Sequence, residues 1–459
     1  MAYRLITLRE FETLRVSDAL VSAGEKALTH KEAEELLLFD ESLSVRAFEH
    51  RYRSVRFLNY CGVIQVGQLT LEILPKISEP KEDGRDVQVD RLLLLRMLAV
   101  ARDLPLIDTN QAGIQLQQHH LLDIVVAYFC QETFRQLHKG VIRRYETAQE
   151  TLPLIRGKWL IAADLQRNIG RKDYAHCEYD EFTDDNPYNR AIKAALRLLA
   201  IHTAANPHLN QKVRTLTSML PNVADCAVEA GEVARLPRNR LVSRFDTVFR
   251  LCEWFLAGQS PNVHAGEERS LGLLFDMNVL FEEFVAKILR SIMPNGYRLQ
   301  TQGPRIYLAR DTNTGDNRFQ MKPDICIVGA DGAVKVVIDT KWKLVDALDA
   351  KSKYGVQQAD MYQLRTYADA YRCDKVALWY PASSQINDAS TLAIFEFLQI
   401  GGEPIGSSVA INALELRKQF SSGHAWKENM YSQALRLVSI LLIGDPQQEP
   451  FCYSAPCTM

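Results

Sequence analysis

The sequence contains no Cys-x-x-Cys pair, and its nine cysteines are odd in number and scattered. Neither a zinc knuckle nor a disulfide framework is indicated, so the thiols read as reduced. A long hydrophobic run is missing too. The most apolar stretch, LLLLRMLAVA at 92–101, is broken by Arg96 and is too short to cross a bilayer, while the opening MAYRLITLREFETLR carries charge throughout. These absences predict a cytoplasmic protein with no membrane partner. The chain also has no surplus of one charge. Its 54 basic residues face 56 acidic ones, leaving −2, so contact with nucleic acid has to come from a local basic patch. No G-x-x-x-x-G-K-[ST] occurs, and Gly157 with Lys158 lacks the preceding glycine. The chain has no P-loop of its own. His119 and His120, being adjacent, point apart on a helix and make no metal pair.

What is present is an ordinary globular composition, 47% apolar and 24% charged, spread over 459 residues. That exceeds what one hydrophobic core usually supports, so an α+β protein of two or three domains is expected. Residues 1–110 hold strand-like segments, the clearest being CGVIQVGQLTLEILPKI at 61–77. With Gly67 and Gln68 as a two-residue turn, Val66 faces Leu69, Ile64 faces Leu71 and Gly62 faces Ile73 on one apolar face. This hairpin is either a core element or a short apolar finger for insertion into a partner. From 111 to 260 the periodicity becomes helical, as in LLDIVVAYFCQETFRQL at 121–137 and NRAIKAALRLLAIHTAA at 189–205. The Gly-, Pro- and polar-rich stretch at 256–270 reads as a linker into a C-terminal domain at 265–459. That domain opens with a helix presenting Met277, Phe281, Phe284, Ile288 and Leu289 on one face, and runs α, β, β, α, β.

Its second and third elements, MKPDICIVGADGAVKVVIDTKWK at 321–343, form the segment with the most chemistry. A two-residue turn centred on Asp331 and Gly332 sets Asp324 across from Asp339 and Lys322 across from Lys341. A four-residue turn would make the two acids diagonal neighbours instead. Directly opposed carboxylates have Cβ atoms roughly 4.5–5.5 Å apart and repel unless a cation sits between them. Ile325, Ile327, Val334, Val336 and Ile338 alternate onto the other face, giving one dry and one charged side. Oxygen ligands of this kind suit Mg²⁺, and Lys341, two positions after Asp339, shares the charged side. The plain alternative is a surface hairpin with solvated charges. Downstream, Gln363 and Tyr367 lie four apart on a helix beside a stripe of Met361, Leu364, Ala368 and Tyr371; upstream, Glu282 flanks the apolar face of the first helix. Each could equally be an ordinary exposed helix residue.

Taken together, helix Glu, P-D, D-x-K and Q-x-x-x-Y resemble the PD-(D/E)xK nuclease superfamily, in its RecB-like branch. More closely, the chain resembles the McrC family, the nuclease subunit of McrBC-type 5-methylcytosine-specific restriction systems. The resemblance rests on GVIQ at 62–65, LEILPKI at 71–77, YDEFTDDNPYNRAIKAAL at 179–196, MNVLFEEFV at 277–285, KPD at 322–324, DTKWK at 339–343 and DMYQLRTYA at 360–368. It implies an N-terminal β-rich partner-docking domain, a helical middle and a C-terminal PD-(D/E)xK nuclease domain. It further implies a Mg²⁺-dependent endodeoxyribonuclease that acts with, and stimulates, a GTP-hydrolysing McrB-like AAA+ partner through which methylated DNA is mainly recognised. Asp324, Asp339 and Lys341 become the catalytic core, with Glu282, Gln363 and Tyr367 in support and Asp324, Asp339 and Glu282 as metal ligands; Glu283 competes with Glu282 for the helix position. A free-standing RecB-like DNA repair nuclease and a non-catalytic adaptor of an AAA+ NTPase are the other readings, the last opposed by the intact Asp324, Asp339 and Lys341. Residues 135–172 carry nine Lys or Arg against three acids, a DNA-binding surface or a solvated helical one.

Overall fold

The computed structural model describes residues 4–17, 26–43, 46–77, 85–104, 120–171, 173–258, 270–345, 353–383, 386, 388–420 and 422–443. They form a mixed α and β protein with several sheets and, among these residues, eleven α-helices. Most of the linker expected at 256–270, together with His119 and Lys172, lies outside them.

The N-terminal part is built on two four-stranded sheets. In the first, Arg4–Arg9 runs parallel to Leu69–Leu74, which pairs with Tyr60–Val66. The register of that hairpin is the expected one, with Val66 opposite Leu69, Ile64 opposite Leu71 and Gly62 opposite Ile73. Gly67 takes φ 52° in the turn, a conformation that costs glycine nothing. The finger reading does not hold. Every residue of 61–66 and 69–74 is buried, because Tyr60–Val66 is covered on its other edge by Leu271–Asp276. That strand, far away in sequence, makes the hairpin an internal one. The second sheet, Ala27–Leu28, Thr13–Val16, Ser54–Phe57 and Phe48–Arg51, packs with the helix His30–Ser42. This helix starts at a capping box in which Thr29 and Glu32 satisfy each other's backbone N–H groups.

The middle contains the expected helices, Leu121–His138 and Pro187–His202 among them, but is not helical throughout. Arg144–Leu152, Lys158–Trp159 and Ala175–Thr183 form a three-stranded sheet. RYETAQETL is mostly polar at alternate positions on both sides and largely exposed, so it carried no apolar alternation to read.

The C-terminal part is a six-stranded mixed sheet in the order Tyr297–Thr301, Ile325–Gly329, Val334–Thr340, Lys375–Pro381, Pro404–Leu414 and Ser390–Leu398. Val334–Thr340, the helix Gln358–Tyr371 and the parallel strand Lys375–Pro381 make a crossover unit. Helices Met277–Ile292 and Gly423–Ile443 cover one face, filled by Ile325, Ile327, Val336 and Ile338. The Gln358–Tyr371 helix covers the other, where Cys326, Val328 and Val337 pack with Leu364 and Tyr371. The expected wet, charged face is therefore a second core, and polar groups are confined to the end of the strands. Both faces being covered explains why these strands are apolar at nearly every position.

The hairpin turn also differs from expectation. Gly329 N–H donates to Ala333 and Gly332 N–H to Gly329, so Ala330, Asp331 and Gly332 form a three-residue loop. Within it only Gly332 takes positive φ, 78°, as a three-residue loop requires at its last position, and Asp331 Oδ1 accepts from Ala333 N–H at 3.0 Å. An extra residue at Lys335 then bulges out and restores the register, pairing Ile327 with Val336 and Ile325 with Ile338. The ladder stops there, so Lys322 and Lys341 are not a paired position.

Candidate active site

Asp324 and Asp339 lie at the ladder end where Ile325 pairs with Ile338, one residue beyond it on each strand. Asp339 shares a strand face with Val337, which places it beneath the Gln358–Tyr371 helix and buries it almost completely. Its Oδ1 accepts from Gln363 Nε2 at 3.4 Å and its Oδ2 meets Lys341 Nζ at 2.7 Å. Gln363 Nε2 also donates to the Tyr367 hydroxyl at 2.8 Å, the contact that an i, i+4 helical spacing allows. Asp324 Oδ2 accepts from both Thr340 N–H and Thr340 Oγ1, each at 2.7 Å. A carboxylate anchored by two donors from the opposite strand is fixed before any ligand arrives.

Glu282 comes from the helix on the other face of the sheet. Its Oε1 accepts from Gln302 Nε2 at 2.8 Å, and Gln302 N–H in turn donates to the Asp324 carbonyl at 3.0 Å. Glu283 points elsewhere and pairs with Arg102 at 3.1 Å. All six expected positions, Glu282, Asp324, Asp339, Lys341, Gln363 and Tyr367, thus come to one end of one sheet.

The charges there do not balance. Burial first and the Asp324 charge second push the Asp339 carboxyl up to about 6, despite Lys341 beside it. Burial, then Asp324, pushes Glu282 up to about 7 against the pull of Gln302. Asp324 is also raised by burial, with the Thr340 donors working the other way. Burial lowers the Lys341 ammonium, and Asp339 outweighs it, so the lysine stays charged well into the alkaline range. Three carboxylates around one lysine leave room for further positive charge. Among the described residues no group of three or more His, Cys, Asp or Glu side chains stands ready to hold a metal by itself. Asp324 and Asp339 nonetheless suit Mg²⁺, which takes one or two protein carboxylates and keeps waters or phosphate oxygens for the rest.

Several contributors were not read from the sequence. Asp360, in the first turn of its helix, stands 3.9 Å from Lys341 Nζ and 3.3 Å from Lys343 Nζ; as an acid near a helix N-terminus it looks like an ordinary dipole partner. Trp342 Nε1 donates at 2.8 Å to Glu10 Oε1, 332 residues away. That bond ties the end of the Asp339 strand to the N-terminal sheet, and no sequence periodicity announces it.

The sequence matches the family model described as McrBC 5-methylcytosine restriction system component over residues 55–381. The match covers well over half of the chain, which belongs to that family. No curated protein sequence matches it. Among solved structures, a chain of the refined half-complex from the tetradecameric assembly of Thermococcus gammatolerans McrB AAA+ hexamers with bound McrC shares the fold. Its TM-score is 0.63 at 18% identity, with 94% of this chain and 99% of that chain covered. A chain of the cryo-EM structure of the Thermococcus gammatolerans McrBC complex aligns with TM-score 0.47 and 21% identity over 62% of this chain and 87% of that one. Among the described residues no helix is long and apolar enough to cross a membrane.

Proposed function

We propose that this chain is the DNA-cleaving subunit of a 5-methylcytosine-dependent restriction system, a PD-(D/E)xK endodeoxyribonuclease that uses Mg²⁺ and works with a separate GTP-hydrolysing AAA+ protein. The observation that carries the reading is Asp339, buried and held between Lys341 and Gln363 with Asp324 alongside and Glu282 across the sheet end. Asp324 and Asp339 would hold the cation, which when bound supplies Lewis-acid polarisation of the scissile phosphate. Thr340 and Gln363 fix the rotamers of the two aspartates, so little reorganisation is needed when substrate arrives. Lys341, kept charged by Asp339, stands where its ammonium donates to a phosphate oxygen as charge builds on phosphorus. Glu282 adds a third negative charge that strengthens cation binding and is itself relieved by it.

The partner needs a surface, and the buried 61–74 hairpin does not provide one. The three-stranded module between 144 and 183 does. Leu154, Ile155, Ile161, Leu165 and Ile169 are all exposed there, more apolar surface than a free-standing projection in water would keep. The basic residues Arg143, Arg144, Arg156, Lys158, Arg167 and Arg171 of the same stretch of chain are exposed as well. We assign this module to the AAA+ protein, which is the kind of molecule bound in the structural relative of similar fold.

The test is cleavage of 5-methylcytosine-containing duplex DNA by the full chain, alone and with the cognate AAA+ protein and GTP, with and without Mg²⁺. Cleavage is expected only with all components, and the chain should raise the partner's GTP hydrolysis. Robust cleavage without partner or nucleotide would favour a free-standing repair nuclease instead.

A further inference from the structure

The strands Ile306–Arg310 and Asn317–Met321 form a two-stranded ribbon that, among the described residues, pairs with no other strand. Its base is pinned at the active site. Gln302 N–H bonds the Asp324 carbonyl, the Tyr371 hydroxyl donates to the Pro304 carbonyl at 2.8 Å, and Met321 is buried in the core under the Gln358–Tyr371 helix. Gly303 lies so close to Pro323 that a Cβ there would come within 2.7 Å of the ring. Beyond this base the ribbon leaves the protein: residues 307–310 and 317–320 are all exposed.

Its composition does not suit an inert projection. Phe319 is 74% and Leu308 61% exposed. Phe319 has φ 58°, the left-handed region that a residue with a Cβ enters only at a cost. The ladder pairs Tyr307 with Gln320 and Ala309 with Arg318 and is interrupted at Phe319. From 305 to 322 there are four basic residues, Arg305, Arg310, Arg318 and Lys322, and two acids, Asp311 and Asp316. Arg318 pairs with Asp316 in the open, which constrains it little, and Arg310 Nε holds the turn through the Gly315 carbonyl. Arg305 and Lys322 flank the base nearest Asp324 and are exposed.

We propose that this ribbon is a DNA-binding element that lies along the duplex beside the scissile phosphate. Resting on the nuclease reading above, it answers a difficulty of that site, whose carboxylates repel the phosphates they must receive. Arg305 and Lys322 supply the missing positive charge at the mouth, and Phe319 and Leu308 meet sugar and base surfaces further out. A two-stranded ribbon has the width to enter a major groove, where an exposed apolar or aromatic side chain packs against base edges such as a pyrimidine 5-methyl group. A costly left-handed backbone kept at an aromatic that is exposed among the described residues is the kind of local strain found at binding sites.

The test is fluorescence-anisotropy titration of a 5-methylcytosine-containing duplex with the full chain in EDTA, so that binding is read without cleavage. Phe319→Gly should weaken binding about tenfold while leaving the melting temperature unchanged or higher, because glycine is at ease at this φ. Arg305→Gln with Lys322→Gln should lower the slope of log K against log salt by about 2. If wild type and Phe319→Gly bind DNA equally, the ribbon assignment is overturned and the nuclease reading stands. Unchanged DNA binding with lost co-sedimentation of the AAA+ protein would make the ribbon a protein interface and likewise overturn it. A melting temperature lowered by several degrees would reduce Phe319 to a structural residue. Wild-type protein that binds no DNA on its own would overturn the ribbon assignment, while the nuclease reading would still be decided by cleavage with the AAA+ protein, GTP and Mg²⁺.

Discussion

The Tyr60–Leu74 and Ile325–Thr340 hairpins each carry a fully enclosed acid on a strand, Glu72 in the first and Asp339 in the second. Glu72 is matched oxygen by oxygen. Arg91 donates to both carboxylate oxygens at 2.7 Å, Leu121 N–H adds 2.8 Å and Thr7 Oγ1 adds 3.0 Å. Asp339 has one close cation and one long amide contact, with Asp324 and Glu282 adding like charge. The first acid is architecture: it joins the sheet to the helices of Arg91 and Leu121. The second carries negative charge that its neighbours leave unbalanced, the feature on which the proposed cation site rests. What separates the two buried carboxylates is the balance of donors and charges around them, not their depth.

The comparison breaks most sharply on substitution. Asp339→Asn should cut DNA cleavage with partner and GTP by roughly 10³-fold or more, as loss of several kcal/mol of cation-derived stabilisation implies. The melting temperature in EDTA should hold or rise. Cleavage within a few-fold of wild type would remove Asp339 from the site. Arg91→Ala should do the reverse. It strands the Glu72 charge in the core and should cost about 3–5 kcal/mol in denaturant unfolding, while any protein that stays folded cleaves with an unchanged Mg²⁺ requirement.

A finer test compares the two lysines. Lys341→Ala should lower cleavage about 10²-fold, the size expected for one preorganised donor to developing charge. Lys343 spends its charge on Asp360 and lies 5.6 Å from the Tyr380 ring centre, so Lys343→Ala should lose less than about fivefold. Equal losses would mean that the role of Lys341 is not local to Asp339.

How much of this was legible follows from which contacts are local. The D-x-K and Q-x-x-x-Y spacings place their residues on one face of a strand and one face of a helix, so periodicity alone brought Asp339 to Lys341 and Gln363 to Tyr367. The hairpin of 61–74 was readable to the residue because a glycine turn and apolar alternation agreed. At 331–332 the same turn logic chose the wrong loop, and the later register survived only because the bulge at Lys335 offset the error. Leu271–Asp276 was hidden since its partner strand, Tyr60–Val66, lies far upstream in the sequence, and the strands of 144–183 because exposed strands need no apolar alternation. The strands Ser390–Leu398 and Pro404–Leu414 and the last helix lay in a region with no motif at all.

The imbalance at Asp339 also has a pH signature. Asp339 is raised from 3.8 to about 6 and Glu282 from 4.5 to about 7. The folded state therefore holds protons that the unfolded chain has released, and the stability this represents is full below about 4 and lost as pH rises through 6 to 7. Without metal, the melting temperature should decline over that window. Mg²⁺ at 100 times its dissociation constant should restore about 2.7 kcal/mol at pH 8, and Asp324→Asn with Asp339→Asn should abolish the response. An equal Mg²⁺ effect in wild type and double variant would show that the two acids do not share an ion.

The smallest effect is expected at Glu10, which lies between the two regions compared. It is buried, accepts from Lys76 N–H at 3.0 Å and from Trp342 Nε1, and keeps Oε2 buried without a hydrogen-bond partner among the described residues. Burial pushes its carboxyl up to about 7, with those two donors working against the rise. A group that needs only one good acceptor for Trp342, yet carries a charge it cannot fully pair, serves the tie at some expense to stability. Glu10→Gln retains an acceptor and removes the charge. Above pH 7 it should be more stable than wild type by about 1 kcal/mol, and the pH dependence of stability between 4.5 and 7 should flatten. If the tie to the N-terminal sheet sets the position of Lys341, the neighbour of Trp342, then Trp342→Phe, which keeps the ring beside Phe281 and removes the N–H, should lower kcat a few-fold with KM unchanged. Glu10→Gln should leave kcat near wild type, because the amide oxygen still accepts. Equal kcat losses in the two variants would show that the tie needs a charged acceptor and not merely an oxygen that accepts, and no loss in either would leave Glu10 as a structural acid of the same kind as Glu72.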